Sequence, residues 1–239
     1  MRTGLRKTTC TALAAGVLVV CGCSAQQESG TSTEPSSSAG PVEPRPQPLT
    51  VTQLRELAFK EGDVPEARDG GIPVRESEPA GTSRPFPPVS DPTCQTMRDI
   101  AEGRPAAARI VQVFNWEGDV WGGESTLASY KHGQAEQHFT KLEQALASCR
   151  FFTGESYTGE YTASVVVEAP PQFGDEAVSF QVIIPLGPEL PEERNEHFTV
   201  VRAGNTIASF SKLDVGEHSS FPADLISRQV ERLRSAQRS

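Results

Sequence analysis

His197-Phe198-Thr199-Val200-Val201-Arg202-Ala203-Gly204-Asn205-Thr206-Ile207-Ala208-Ser209-Phe210 is the stretch on which the fold turns. Two β-branched and aromatic runs flank Ala203-Gly204-Asn205, a tight-hairpin signal. The spacing predicts strands over Glu196 to Arg202 and Thr206 to Leu213. Upstream, Tyr161 to Glu168 and Glu176 to Pro185 read as two further strands. Downstream, Pro222 opens a closing helix with Ile226, Val230 and Leu233 on its inward face. Before the strands, Phe139, Leu142, Leu146 and Cys149 fall at i, i+3, i+7 and i+10 and predict the longest helix, from about Ala135 to Ser148. Helices first, then a run of strands, then a helix reads as α+β: an antiparallel sheet packed against helices in a single domain.

The start of that domain is equally sharp. Thr50 and Gln53 form a capping box, with Leu49 and Leu54 as the hydrophobic staple around it. Residues 61–93 are irregular and hold seven prolines, and only Ile72-Pro73-Val74-Arg75 resembles an edge strand. Asp91-Pro92 supplies an N-cap and a first-turn proline for a short helix that turns Cys94, Met97 and Ile100 inward. Ala108 to Phe114 alternates as a strand, Trp121-Gly122-Gly123 marks a turn, and Thr126 to Tyr130 is a weaker strand. The domain is expected over 49–239.

The amino terminus is of a different kind. Arg2, Arg6 and Lys7 precede an apolar run from Thr11 to Val20, too short for the roughly 20 residues that span a bilayer. Val20-Cys21-Gly22-Cys23 has the form of a bacterial lipobox, so residues 1–22 are expected to be removed as a lipoprotein signal and Cys23 to be acylated. Two or more acyl chains, at about 0.8 kcal/mol per buried methylene, anchor stably where one would not. Residues 23–48 then form a tether: Ser24 to Pro48 contains six serines, five prolines and no aromatic residue. Such a stretch buries too little apolar surface to offset its ordering entropy. As flexible coil it spans about 25–30 Å. The expected place is the extracytoplasmic face of the cell membrane, with the membrane itself as partner through lipid.

Five cysteines reduce to one pair. Cys10 and Cys21 leave with the signal and Cys23 is alkylated, so Cys94 and Cys149 remain for an oxidising compartment. A Cys94–Cys149 disulfide would close a loop worth roughly 4 kcal/mol in the chain-entropy account. The formal net charge of −9, more negative once the basic signal is removed, argues against nucleic acid as a partner.

No catalytic constellation is coherent. Asp175 and Glu176 are neighbours on a chain entering a strand, where successive side chains face opposite ways, and Gly174-Asp175 reads as a turn. His132 and His138 point about 240° apart if helical, and no metal site is expected; His197 and His218 stand alone in sequence. Gly154-Glu155-Ser156-Tyr157-Thr158 falls one residue short of a nucleophile elbow. No cofactor motif occurs. Trp116 and Trp121 bracket an acidic turn (Glu117, Gly118, Asp119) and are the candidate ligand contacts, with burial in the core as the competing reading.

Taken in order, these features resemble the actinobacterial PknH-like extracellular sensor domains, which also occur as free-standing lipoproteins. The resemblance rests on Leu54 and Leu57 in the opening helix, Cys94, the amphipathic helix ending at Cys149, Phe173-Gly174-Asp175-Glu176-Ala177, the stretch Phe198 to Asn205 and the closing helix. It implies a sandwich-like α+β domain with a cleft for an unidentified small ligand. One departure stands out: the kinase's domain is stapled by two disulfides, whereas this chain retains cysteines for one. The expected function is therefore a membrane-anchored, non-enzymatic sensor-like or small-ligand-binding module whose partner is a small ligand or an envelope protein. A carrier of lipid or another hydrophobic ligand and a cell-envelope enzyme with an unrecognised site are the competing classes.

Overall fold

The structure, a computed structural model, describes residues 47–68, 70, 72–76 and 86–238. The expected signal peptide, Cys23 and nearly all of the tether lie outside the described residues. Four helices are present among them: α1 (Val51–Leu57), α2 (Pro92–Ala101), α3 (Gln134–Ser148) and α4 (Ala223–Arg238). The strands are β1 (Val74–Glu76), β2 (Ala108–Phe114), β3 (Gly123–Ser129), β4 (Phe151–Ser156), β5 (Gly159–Val167), β6 (Glu176–Pro185), β7 (Glu193–Ala203) and β8 (Thr206–Val215). They pair antiparallel throughout in the order β1-β2-β3-β8-β7-β6-β5-β4, so the fold is α+β as expected.

The hairpin that decided the fold forms where the sequence placed it. β7 and β8 pair from Arg194 with Val215 to Ala203 with Thr206, leaving Gly204-Asn205 as the two-residue turn. The Gly174-Asp175 turn closes against it. Gly174 has φ +60°, and a Cβ there would stand 2.4 Å from the Arg202 carbonyl oxygen, so only glycine fits. Asp175 accepts from the Gly204 amide at 2.7 Å and pairs with Arg234 of α4 at 2.9 Å. Burial pushes the Asp175 carboxyl up, but that amide and the two guanidiniums outweigh it and hold it below its ordinary value. Turn, hairpin and closing helix are thereby pinned at one point.

The caps follow the sequence. Thr50 and Gln53 complete the capping box of α1, and Asp91 accepts from the amides of Thr93 and Cys94 at the start of α2. Three details differ from expectation. β3 begins at Gly123, inside the expected turn, rather than at Thr126. The longest helix among the described residues is α4, with 16 residues against 15 in α3. β4 was not expected as a strand; it pairs along its length with β5 and turns the segment around Gly154 into a hairpin.

Side chains alternate across the sheet and fill two cores. On one face, α1 and α4 cover Ile110, Phe114, Leu127, Val201, Ala208 and Phe210. Phe114 lies at the centre of this core, stacked on Trp116 at 5.4 Å and edge-on to Phe221 at 4.9 Å and to Phe59 at 5.9 Å. On the other face, α2 and α3 cover Ala128, Phe180, Val200 and Ile207 with Met97, Ile100, Phe139, Leu142 and Leu146. The Cys94–Cys149 disulfide, with Cα atoms 5.0 Å apart, ties the first turn of α2 to the end of α3. Every described element, both cores and the disulfide fall within Glu43–Ser239, so this segment carries the interactions that folding requires.

Candidate functional site

The second face is only partly covered. Beyond Met97, Arg98, Ala101 and Glu102 of α2 no helix among the described residues covers the sheet, and a cavity of about 600 Å³ opens there. That is the scale of a small-ligand site, roughly 300–1,000 Å³. The strand register explains its lining. Glu124 of β3 pairs with Ser211 of β8, Ser211 with Phe198 of β7, and Phe198 with Phe180 of β6. Directly opposed residues share a face, so these four form one row across the floor. The neighbouring rows bring Thr126 beside Ser209, and Val182 beside Glu196.

The floor therefore grades from polar to apolar. Phe180 and Phe198 stack at 5.0 Å with planes 10° apart, and Phe152, Val182 and Ile184 extend that surface. At the β3–β8 side, Thr126, Ser209 and Ser211 are 7%, 5% and 5% exposed. Their hydroxyls line the cavity and have no hydrogen-bond partner among the described residues. The residues are largely buried, but their oxygens open onto the cavity, where water or a ligand can satisfy them.

The wall is built by α2 and the β4–β5 hairpin. Arg98 donates to the Tyr161 hydroxyl at 2.6 Å and pairs with Glu102 at 3.3 Å. Burial favours loss of the guanidinium proton, but Glu102 and Tyr161 together keep Arg98 charged. Tyr161 crosses directly over Gly154 of β4. A Cβ at Gly154 would come within 2.7 Å of the tyrosine oxygen and 2.8 Å of its ring, so glycine is what lets Tyr161 reach Arg98. The segment read as a failed nucleophile elbow thus has a structural explanation. The chain before α2 seals the outer edge: the Ser90 amide donates to the Thr153 carbonyl at 2.9 Å, and the Thr153 amide to Ser90 Oγ at 2.9 Å.

Charge in the cavity is unbalanced. Burial pushes the Glu196 carboxyl up, with Glu102 adding to the effect and Arg194 and Arg98 opposing it. Glu124 is raised as well, first by the protein around it and then by Glu196 and Glu102, with Arg75 offsetting part. Glu196 lies 3.6 Å from Arg194. Glu124 is exposed at the edge of the cavity and has no ion-pair or hydrogen-bond partner among the described residues.

The two tryptophans expected as ligand contacts lie elsewhere, Trp116 in the core as the competing reading had it. Trp116 is buried at 6% exposure in the α1–α4 core, and Trp121 is half-buried beside the Lys212–Asp119 ion pair; neither lines the cavity. Sequence reasoning also missed the second-face row, because its members are single residues on four strands whose register no local pattern reveals.

A second cluster emerges on the opposite face of β6 and β7. His197 Nε2 stands 2.8 Å from Glu168 Oε2 and 3.1 Å from Ser179 Oγ, and Ser179 also donates to Glu168 at 2.8 Å. Gln181 donates to the other Glu168 oxygen. Burial alone would raise Glu168, but these donors hold it below its ordinary value. A serine–histidine–acid relay needs hydroxyl and carboxylate on different ring nitrogens. Here both address Nε2, while Nδ1 is buried with no partner among the described residues. The cluster knits β5, β6 and β7 together and lacks relay geometry. Among the described residues no group of three or more His, Cys, Asp or Glu side chains could hold a metal ion, and no helix is long and apolar enough to cross a membrane.

Comparison with solved structures supports the fold. The chain is similar to the extracellular domain of PknH from Mycobacterium tuberculosis, with a TM-score of 0.56 and 13% identity over 81% of this chain and 99% of that one. A STAR-related lipid transfer protein from Xanthomonas axonopodis aligns over 55% of this chain and 94% of its own with 16% identity, but its TM-score of 0.29 is too low to bear on fold or function. No family model and no curated protein matches the chain.

Proposed function

We propose that this chain is a lipoprotein, acylated at Cys23 and held on the outer face of the cell membrane, whose domain binds a small ligand in the cavity between α2 and the sheet without turning it over. The observation that carries the binding reading is an open cavity of about 600 Å³ whose floor joins a stacked aromatic pair to a row of hydroxyls from Thr126, Ser209 and Ser211 that have no partner among the described residues. Binding sites of this kind combine an apolar surface with a few converging polar groups. The likeness in fold to an extracellular domain, the lipobox ending at Cys23 and the Cys94–Cys149 disulfide support an extracytoplasmic place.

Native mass spectrometry of freshly purified Glu43–Ser239 tests the binding reading. A bound small species is expected, and Phe198→Asp, which puts a charge on the aromatic floor, should remove it. A ligand-free spectrum, together with no saturable binding from envelope extracts, would sink the reading. For the anchor, Cys23→Ala in the full chain should leave the protein unprocessed or released, and normal membrane retention would refute acylation at that residue.

A further inference from the structure

We infer that the cavity takes a cationic amphiphile: a molecule with a primary, quaternary or guanidinium-type positive end at Glu124 and Glu196, and an apolar body on Phe198 and Phe180. This deepens the binding reading above and rests on it. The inference comes from which charges in the cavity are already spent. Arg98 is committed to Tyr161 and Glu102, and Glu102 is further engaged by Arg104 at 2.6 Å. Arg194 faces Glu196 at 3.6 Å, although its Nε has no hydrogen-bond partner among the described residues. What remains is negative: Glu124 has no ion partner among the described residues, and Glu155 and Glu160 add two more carboxylates at the rim. An anionic ligand would meet these carboxylates at the cavity's edge and, in seating its body on Phe198, come close to the partly buried Glu196, where like charges repel. A neutral ligand would cover Glu124 without compensating it, and an uncompensated covered charge is costly. A cation compensates Glu124, which Arg75 offsets only in part.

Geometry sets the length. Glu124, Ser211, Phe198 and Phe180 are successive cross-strand partners on β3, β8, β7 and β6. With strands about 4.8 Å apart, the carboxylate lies roughly 10 Å from the nearer phenylalanine and 14 Å from the farther one. A charged end and an apolar body of about eight carbons span that row. Between them, the hydroxyls of Ser209, Ser211 and Thr126 meet any donor next to the charge.

Three probes of one chain length separate the possibilities: octyltrimethylammonium, 1-octanol and octanoate, each titrated into Glu43–Ser239 below its micellar concentration. Affinity would be read by calorimetry and position by amide chemical shifts. The cation should bind at least tenfold more tightly than octanoate and shift Glu124, Ser211 and Phe198. The double variant Glu124→Gln/Glu196→Gln should lose that preference while 1-octanol binds as before, which also shows that the variant is folded. Octanoate or octanol binding in the cavity as tightly as the cation would overturn the charge class and leave the binding reading standing. No saturable binding by any of the three would overturn both.

Discussion

The two faces of the sheet differ in what covers them, and the difference locates function. The face under α1 and α4 is closed by an aromatic cluster in which Phe59, Trp116, Phe210 and Phe221 surround or adjoin Phe114, each less than a tenth exposed. The face under α2 and α3 is closed only over Phe139, Leu142, Leu146 and their strand partners, and then opens onto Phe198, Glu196 and Glu124. The same strands supply both surfaces, so the sheet itself does not decide which is a core and which is a site. Helix placement decides it, and the disulfide fixes that placement by tying α2 to α3.

The largest expected effect breaks the comparison at the closed face. Phe114→Ala should cost about 3–5 kcal/mol, as for other large-to-small changes in a packed aromatic core. Phe198→Ala, half-buried at the floor of the cavity, should cost less than half as much yet weaken ligand binding. Urea unfolding of both variants measures the contrast, and equal losses would mean that the second face is as closed as the first. Next, Cys94→Ser/Cys149→Ser should lose about 2–4 kcal/mol and loosen α2 over the cavity. Loss of stability with unchanged exchange protection along α2 would show that the bridge does not hold that wall.

The smallest effect concerns Glu196. A carboxyl whose folded value is raised favours the folded state only when protonated. Its contribution therefore grows as pH falls from the raised value towards the ordinary 4.5, and is absent above it. Glu196→Gln should be more stable than the parent at pH 7, and the two should converge as pH falls through that window. Urea midpoints at pH 7 and pH 5 test this; a variant less stable at pH 7 would mean that Arg194 and Arg98 outweigh burial. A residue that costs stability at neutral pH while facing an open cavity fits a place kept for binding.

Much of the frame was legible in the chain. The β7–β8 hairpin, the caps of α1 and α2, the stripe of α3 and the pairing of Cys94 with Cys149 all depend on near neighbours or on counting. β4 was less legible because Gly154 interrupts its pattern; the reason for that glycine is Tyr161, seven residues on and across a turn. The site was hardest to see. Glu124, Ser211, Phe198 and Phe180 meet only through long-range register, and an isolated serine or glutamate in a strand carries no mark of its face. Trp116 misled for the complementary reason: an aromatic beside an acidic turn looks available, yet Phe114 and Phe221 enclose it.

One spectrum reports on both faces together. With fluorophenylalanine incorporated into Glu43–Ser239, Phe180 and Phe198 mark the open face, and Phe114 and Phe210 the closed one. Adding octyltrimethylammonium should move the fluorine resonances of Phe180 and Phe198 saturably and leave those of Phe114 and Phe210 in place. Movement of the closed-face resonances instead, or equal movement of all four, would contradict the account.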